Sequence, residues 1–99
     1  MIIVAGTIRI PEDKFDSMLD VAQATVSATR KEAGCIVYSF AFDVEDRGLV
    51  RVYEEWESRA HLDAHLKQPQ MGPWRSAMAA AGASERNIKI YETSGGTSL

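Results

Sequence analysis

The chain has 99 residues, 45% of them hydrophobic and 25% charged, with a net charge of -3. That length gives one domain of ordinary globular composition, small enough that a partner subunit is a natural way to cover its surface. No basic cluster offers phosphates a footprint, so nucleic acid is not the expected partner, and no apolar run is long enough for a membrane-spanning helix.

Met1 leads directly into Ile2-Ile3-Val4-Ala5-Gly6 with no basic segment before it, which is not the pattern of a secretory signal, so a cytoplasmic protein is expected. Cys35 is the only cysteine and cannot form an internal disulfide. Beside a strand it reads as a packing residue rather than a nucleophile.

In chain order, Met1 to Ile10 is β-branched and predicts a first strand, stopped by Pro11. Pro11, Glu12 and Asp13 suit a helix start, and Phe15, Met18, Leu19, Ala22 and Val26 recur at helical spacing up to about Glu32. Gly34 is the glycine that follows a helix end. Cys35 to Asp43 predicts a second strand, residues 43–48 a polar hairpin loop, and Leu49 to Trp56 a third strand. Ser58 caps a helix running to about Lys67. Pro69, Gly72 and Pro73 then break it, and Trp74 to Ala81 makes a further helix. Ser84 to Thr93 is the fourth strand, so residues 1–93 form one domain and residues 94–99 a tail. The order β-α-β-β-α-β is the ferredoxin-like, α+β order with an antiparallel sheet.

Strand parity sorts the side chains. Ile36, Tyr38, Phe40 and Phe42 share one face of the second strand, and Val50, Val52, Glu54 and Trp56 share one face of the third. In a regular hairpin these sets lie together under the helices, with Tyr38 near Glu54. The other side carries Cys35, Val37, Ala41, Leu49 and Tyr53 among Ser39, Arg51 and Glu55. It is too apolar for water, which predicts a dimer packed through the sheet.

On the helix side, Tyr38, Glu54, Trp56, His65, Met71 and Trp74, with Phe40 beside them, have the mixture that a small apolar ligand site needs. An imidazole ordinarily titrates near neutrality, so His65 could act as general base on a phenol or hydroquinone, with Tyr38 and Glu54 orienting the substrate oxygens or tuning that histidine. The structural alternative is a histidine that only satisfies a buried carboxylate or carbonyl. Glu54 is the one acid on an apolar strand face, and Arg51 and Arg75 are its candidate counter-ions. His61 and His65 have metal-ligand spacing but lack the acid after the first histidine and a third ligand, so no metal is expected and His61 reads as solvated. No phosphate loop, dinucleotide fingerprint or serine elbow is present, so no nucleotide cofactor is expected.

Glu32-Ala-Gly-Cys35-Ile-Val-Tyr38 and Tyr53-Glu54-Glu-Trp56-Glu-Ser58, followed by Leu62-Asp-Ala-His65, together resemble the antibiotic biosynthesis monooxygenase family. The resemblance covers roughly residues 2–93. It implies a ferredoxin-like dimeric α+β barrel and pocket roles for Tyr38, Glu54, Trp56 and His65. It also implies a quinol or phenol monooxygenase in which the substrate itself supplies electrons to oxygen, without metal or flavin. Haem-degrading relatives carry a ligating histidine near the position of Arg75, a pocket tryptophan where this chain has His65, and an asparagine near Gly6 and Thr7, so haem chemistry is not expected. Two other activities stay open: an isomerase acting on a small carbonyl compound, and a dimer that binds a small aromatic ligand without turning it over.

Overall fold

The computed structural model describes residues 1–99. Strand β1 (Ile2–Arg9) leads through a single 3-10 turn (Glu12–Lys14) into helix α1 (Phe15–Thr29). Strands β2 (Cys35–Phe42) and β3 (Leu49–Trp56) follow, then helices α2 (Arg59–His65) and α3 (Met71–Ala80), and strand β4 (Ser84–Glu92). The sheet order is β2-β3-β1-β4, and every neighbouring pair is antiparallel. This is the ferredoxin-like α+β fold.

All three helices contribute to one side of the sheet. Ile8, Ile10, Val50 and Val52 pack with Met18 of α1 and with Met71 and Trp74 of α3. Ile2, Val4, Tyr38 and Trp56 pack with Leu62 of α2. Each such side chain contributes about 1.5–3 kcal/mol when fully buried. Strand β3 shows the alternation most plainly, with Val50, Val52, Glu54 and Trp56 all buried.

The ends of the helices depart from the sequence reading. Helix α1 starts at Phe15, after the 3-10 turn, and its regular part stops at Thr29. Lys31 and Glu32 continue it only as tight turns, donating to the carbonyls of Ala28 and Thr29. Leu19, expected on the apolar stripe, is 52% exposed. Gly72 and Pro73 do not break the chain before Trp74 but lie in the first turn of α3. The first amide that α3 must satisfy is that of Trp74, which donates to the Gln70 carbonyl. A proline one residue earlier therefore costs no hydrogen bond.

The hairpin between β2 and β3 pairs Tyr38 with Glu54, Phe40 with Val52 and Phe42 with Val50, as parity predicts. It is irregular at its far end, where Cys35 pairs with Trp56 and Val37 with Glu55. The extra residue is Ile36, a bulge that inverts the parity beyond it. Cys35 therefore lies on the helix side, packed near Tyr38 and Trp56, and not on the open face. Ile36 in turn is 51% exposed rather than turned to the helices. The open side keeps Ile3, Val37, Leu49, Tyr53 and Tyr91, with no helix over it.

Candidate active site

A cavity of about 220 Å³ opens between the helix side of the sheet and the α2–α3 pair. Tyr38 and Phe40 reach it from β2, Glu54 from β3, His65 from the end of α2, and Met71 and Trp74 from α3. Six of the seven residues expected in a pocket thus line one space. The exception is Trp56, which is fully buried and stands outside the lining. Its indole Nε1 donates to Glu54 Oε1 at 2.9 Å, and its ring lies 4.7 Å from that of His65. Trp56 therefore holds the site from behind.

Local chemistry explains how His65 arrives there. Ser58 is extended, and its hydroxyl accepts the amide of His61, which starts α2. Leu62, 2% exposed, anchors the helix to the sheet, and His65 follows it on the same arc at 1% exposure. The imidazole Nδ1 is 2.9 Å from Glu32 Oε2, and Gln70 Nε2 donates to the same oxygen at 2.8 Å. An ionised Glu32 accepts only, so the network assigns the ring proton to Nδ1. Nε2, the other nitrogen, makes no hydrogen bond within the chain, and in the neutral form of the ring it is the nitrogen that carries the lone pair. Tyr38 meets the ring edge-on at 5.2 Å.

Burial pushes the Tyr38 phenol well above its ordinary range, and the Glu54 and Glu32 carboxylates push it the same way. It is therefore a neutral donor at physiological pH and cannot act as the base. Burial also raises Glu54, against the opposing Trp56 hydrogen bond and the charges of His65 and Arg86. Burial raises Cys35 too, with Glu32 and Glu54 adding, which leaves it a protonated and unreactive thiol.

Neither arginine expected as counter-ion pairs with Glu54. Arg51 lies on the open face and bonds Asp43 at 2.9 Å, while Arg75 donates to the Leu66 carbonyl. The carboxylate is satisfied by Trp56 instead. His61, expected to be solvated, is half-buried: its ring is held by Ser58 at 2.8 Å and lies against Gly34. His61 and His65 thus serve different partners, and no group of three potential metal ligands converges anywhere.

Glu32 and Gln70 escaped the sequence reading as site residues. Glu32 sits in the same short motif as Tyr38, and its position just past a helix was the only available signal. Gln70 gave none, because it depends on how the α2–α3 connection folds back over Thr29 and Glu32.

Phe40 and Trp74 stack at 5.0 Å, and together they separate the cavity from a wider, open groove of about 1,020 Å³ between α1 and β2. The groove is larger, but the charges on its rim, Asp16, Arg30, Lys31 and Arg47, are all exposed. The buried ionisable pair, Glu54 and His65, belongs to the smaller cavity, and that combination marks a reactive site better than volume does.

Comparison with known proteins agrees with this architecture. The sequence profile described as antibiotic biosynthesis monooxygenase matches residues 1–77. An uncharacterised Synechocystis protein, sll1783, is 33% identical over 91 residues, which is 92% of this chain and 62% of that protein. The chain thus spans less than two thirds of that relative. YgiN of Escherichia coli, named a probable quinol monooxygenase, is 31% identical over 84 residues, covering 77% of this chain and 80% of YgiN. A Deinococcus radiodurans structure, provisionally titled an antibiotic biosynthesis monooxygenase, superposes with a TM-score of 0.89 at 22% identity, covering 100% of this chain and 98% of its own. A conserved Methanosarcina mazei protein superposes at 0.83 with 23% identity, covering 91% of this chain and 89% of its own. These two structures speak for the fold.

Proposed function

Because this chain belongs to the antibiotic biosynthesis monooxygenase family, we propose that it oxidises a small quinol or phenol with molecular oxygen, with His65 as general base and no cofactor. The observation that carries the proposal is the arrangement of His65: Nδ1 held by Glu32, Nε2 free, and the ring lining an apolar cavity. A cavity smaller than the roughly 300–1,000 Å³ of drug-sized sites suits one or two fused rings.

In this reading His65 Nε2 takes a phenolic proton, and the electron-rich anion reduces oxygen directly. For a hydroquinone, one oxygen atom enters the ring to give a hydroxyquinone and the other leaves as water. All four electrons come from the substrate. Tyr38 donates a hydrogen bond to a substrate oxygen, and Glu54 orients a second hydroxyl. Phe40, Met71 and Trp74 supply the apolar walls. Trp56 acts only through Glu54.

The test is oxygen uptake by metal-stripped protein with a panel of hydroquinones and polycyclic phenols, beside His65→Ala. Uptake that falls by about 10²–10⁴ in the variant supports His65 as base. Uptake unchanged in the variant removes His65 from that role, and no uptake across the panel removes the oxygenase reading.

The working unit of the proposal is a cytoplasmic homodimer joined through the open faces of two sheets. Only 17 of 99 residues are buried in the single chain. Tyr53 and Tyr91 stand 40% and 50% exposed on a face that no helix covers. A self-complementary pairing would cover them. Sedimentation showing a dimer at micromolar concentration, and a monomer on Ile3→Lys, is the expected outcome. A wild-type monomer at that concentration overturns the dimer.

A further inference from the structure

We infer that the cavity selects aromatic substrates that carry an anionic group, a carboxylate in the simplest case, at the end remote from the reacting hydroxyl. The inference rests on the proposed reaction for which end enters first, but its binding test does not need turnover.

The cavity is polarised along its depth. Glu54, Tyr38 and His65 form its buried end, with Glu32 directly behind the imidazole. Two guanidinium-bearing residues, Arg75 of α3 and Arg86 of β4, line the same space and are exposed to solvent, so they mark its mouth. Between them the half-exposed Leu66 and Ile90 keep the mouth apolar. Arg86 forms no salt bridge and no hydrogen bond within the chain, and it lies close enough to Glu54 to act on its charge. Arg75 spends one nitrogen on the Leu66 carbonyl and has the rest of its fork available.

Arg86 directly follows an irregular point in β4. Between the β1–β4 pairs Arg9–Ser84 and Thr7–Asn87 the register shifts by one residue. At this bulge Glu85 adopts φ of 50°, a left-handed conformation rare outside glycine. Its carboxylate is tied to Arg9 Nε at 2.8 Å. Beyond the bulge, ordinary strand alternation sets Arg86 on the same side as Ile88 and Ile90, over the cavity, whereas Asn87 and Lys89 fall on the open face.

An aromatic anion entering hydroxyl-first is attracted at its tail by Arg75 and Arg86. The reverse orientation brings its charge against Glu54 and Glu32. The same fixed charges thus select the substrate and its direction, and apolar walls strengthen their field.

The experiment is calorimetric titration with 6-hydroxy-2-naphthoate and with the neutral 6-hydroxy-2-naphthamide, in low and high salt. The acid is expected to bind about tenfold tighter at low salt, the sum of two partly exposed charge contacts, and the advantage is expected to shrink as salt rises. In Arg75→Gln/Arg86→Gln the advantage disappears while the amide binds as before. Equal affinities for acid and amide in the wild type, or an advantage that survives in the double variant, overturn the inference. Charge-selective binding without oxygen uptake defeats the oxygenase reading alone, and uptake with neutral quinols but no charge preference defeats this inference alone.

Discussion

Glu32 Oε2 lies 2.9 Å from His65 Nδ1, across 33 residues of sequence, and Gln70 Nε2 holds the same oxygen at 2.8 Å. A carboxylate so placed accepts and cannot donate, which fixes the imidazole proton on the side away from the cavity. The amide in Glu32→Gln has a donor as well. Turned toward Nδ1, it would place the ring proton on Nε2 and leave the cavity without a base. The expected result is a fall in kcat of about 10² with KM unchanged, since the residue touches His65 and not substrate. A merely structural Glu32 would instead lower stability and leave the kcat of the folded fraction intact.

Gly34 tests the support of α2. Its φ is +80°, and a Cβ there would sit 2.2 Å from His61 Cγ. Gly34→Ala meets both a left-handed backbone and a ring pinned by Ser58, so either the turn or α2 must move. A loss of more than about 1 kcal/mol in urea denaturation is expected. His61→Ala in the same background removes the ring contacts but leaves the His61 Cβ 2.7 Å from the new Cβ, and should recover part of it. No recovery would locate the cost in the backbone and the remaining Cβ contact rather than in the ring.

The fold was legible in the sequence because its signals are local. Alternation in β3 and the helical recurrence from Phe15 to Val26 each need only a short window. So do the Ser58 cap and the break at Pro11. The bulge at Ile36 was not legible, because nothing in Cys35-Ile36-Val37 distinguishes a regular strand from one carrying an extra residue. That single bulge moved Cys35 to the opposite side of the sheet. The pocket residues Tyr38, Phe40, Glu54 and His65 followed from parity and helical arc. What supports them did not. Glu32 and Gln70 are brought in by chain reversals, and the partner of Glu54 proved to be an indole two residues away rather than an arginine.

Trp74 is both a cavity wall and a core side chain, 7% exposed and stacked on Phe40 at an interplanar angle of 10°. Trp74→Ala should cost about 3–5 kcal/mol, a large share of the roughly 5–15 kcal/mol available to a small domain. Trp74→Phe keeps a ring against Phe40 and should cost less while enlarging the cavity. Urea midpoints for both variants, read beside ligand affinity, separate the two roles. If Trp74→Ala changes neither stability nor affinity, Trp74 is not part of the wall.

Glu54 gives the pH dependence of stability its sign. Burial raises its folded-state pKa above that of the unfolded chain. Between the two values the native state binds more of a proton than the unfolded state, so this group makes stability fall as pH rises through that window. Its contribution is most favourable below the ordinary carboxyl range and is lost once pH passes the raised value. Asp43 and Asp46 act in the opposite direction. Hydrogen bonds from Arg51 and Arg9 lower their pKa values, so their contribution is lost as pH falls. The clean measurement is therefore the difference between wild type and Glu54→Gln, by urea denaturation from pH 4 to pH 8. The variant keeps an acceptor for Trp56 Nε1 but has no charge to bury. Relative to wild type it should gain stability as pH rises, levelling off above the raised pKa. A difference independent of pH would mean that Glu54 titrates alike in both states, and that its burial is compensated by the Trp56 bond and the nearby cations.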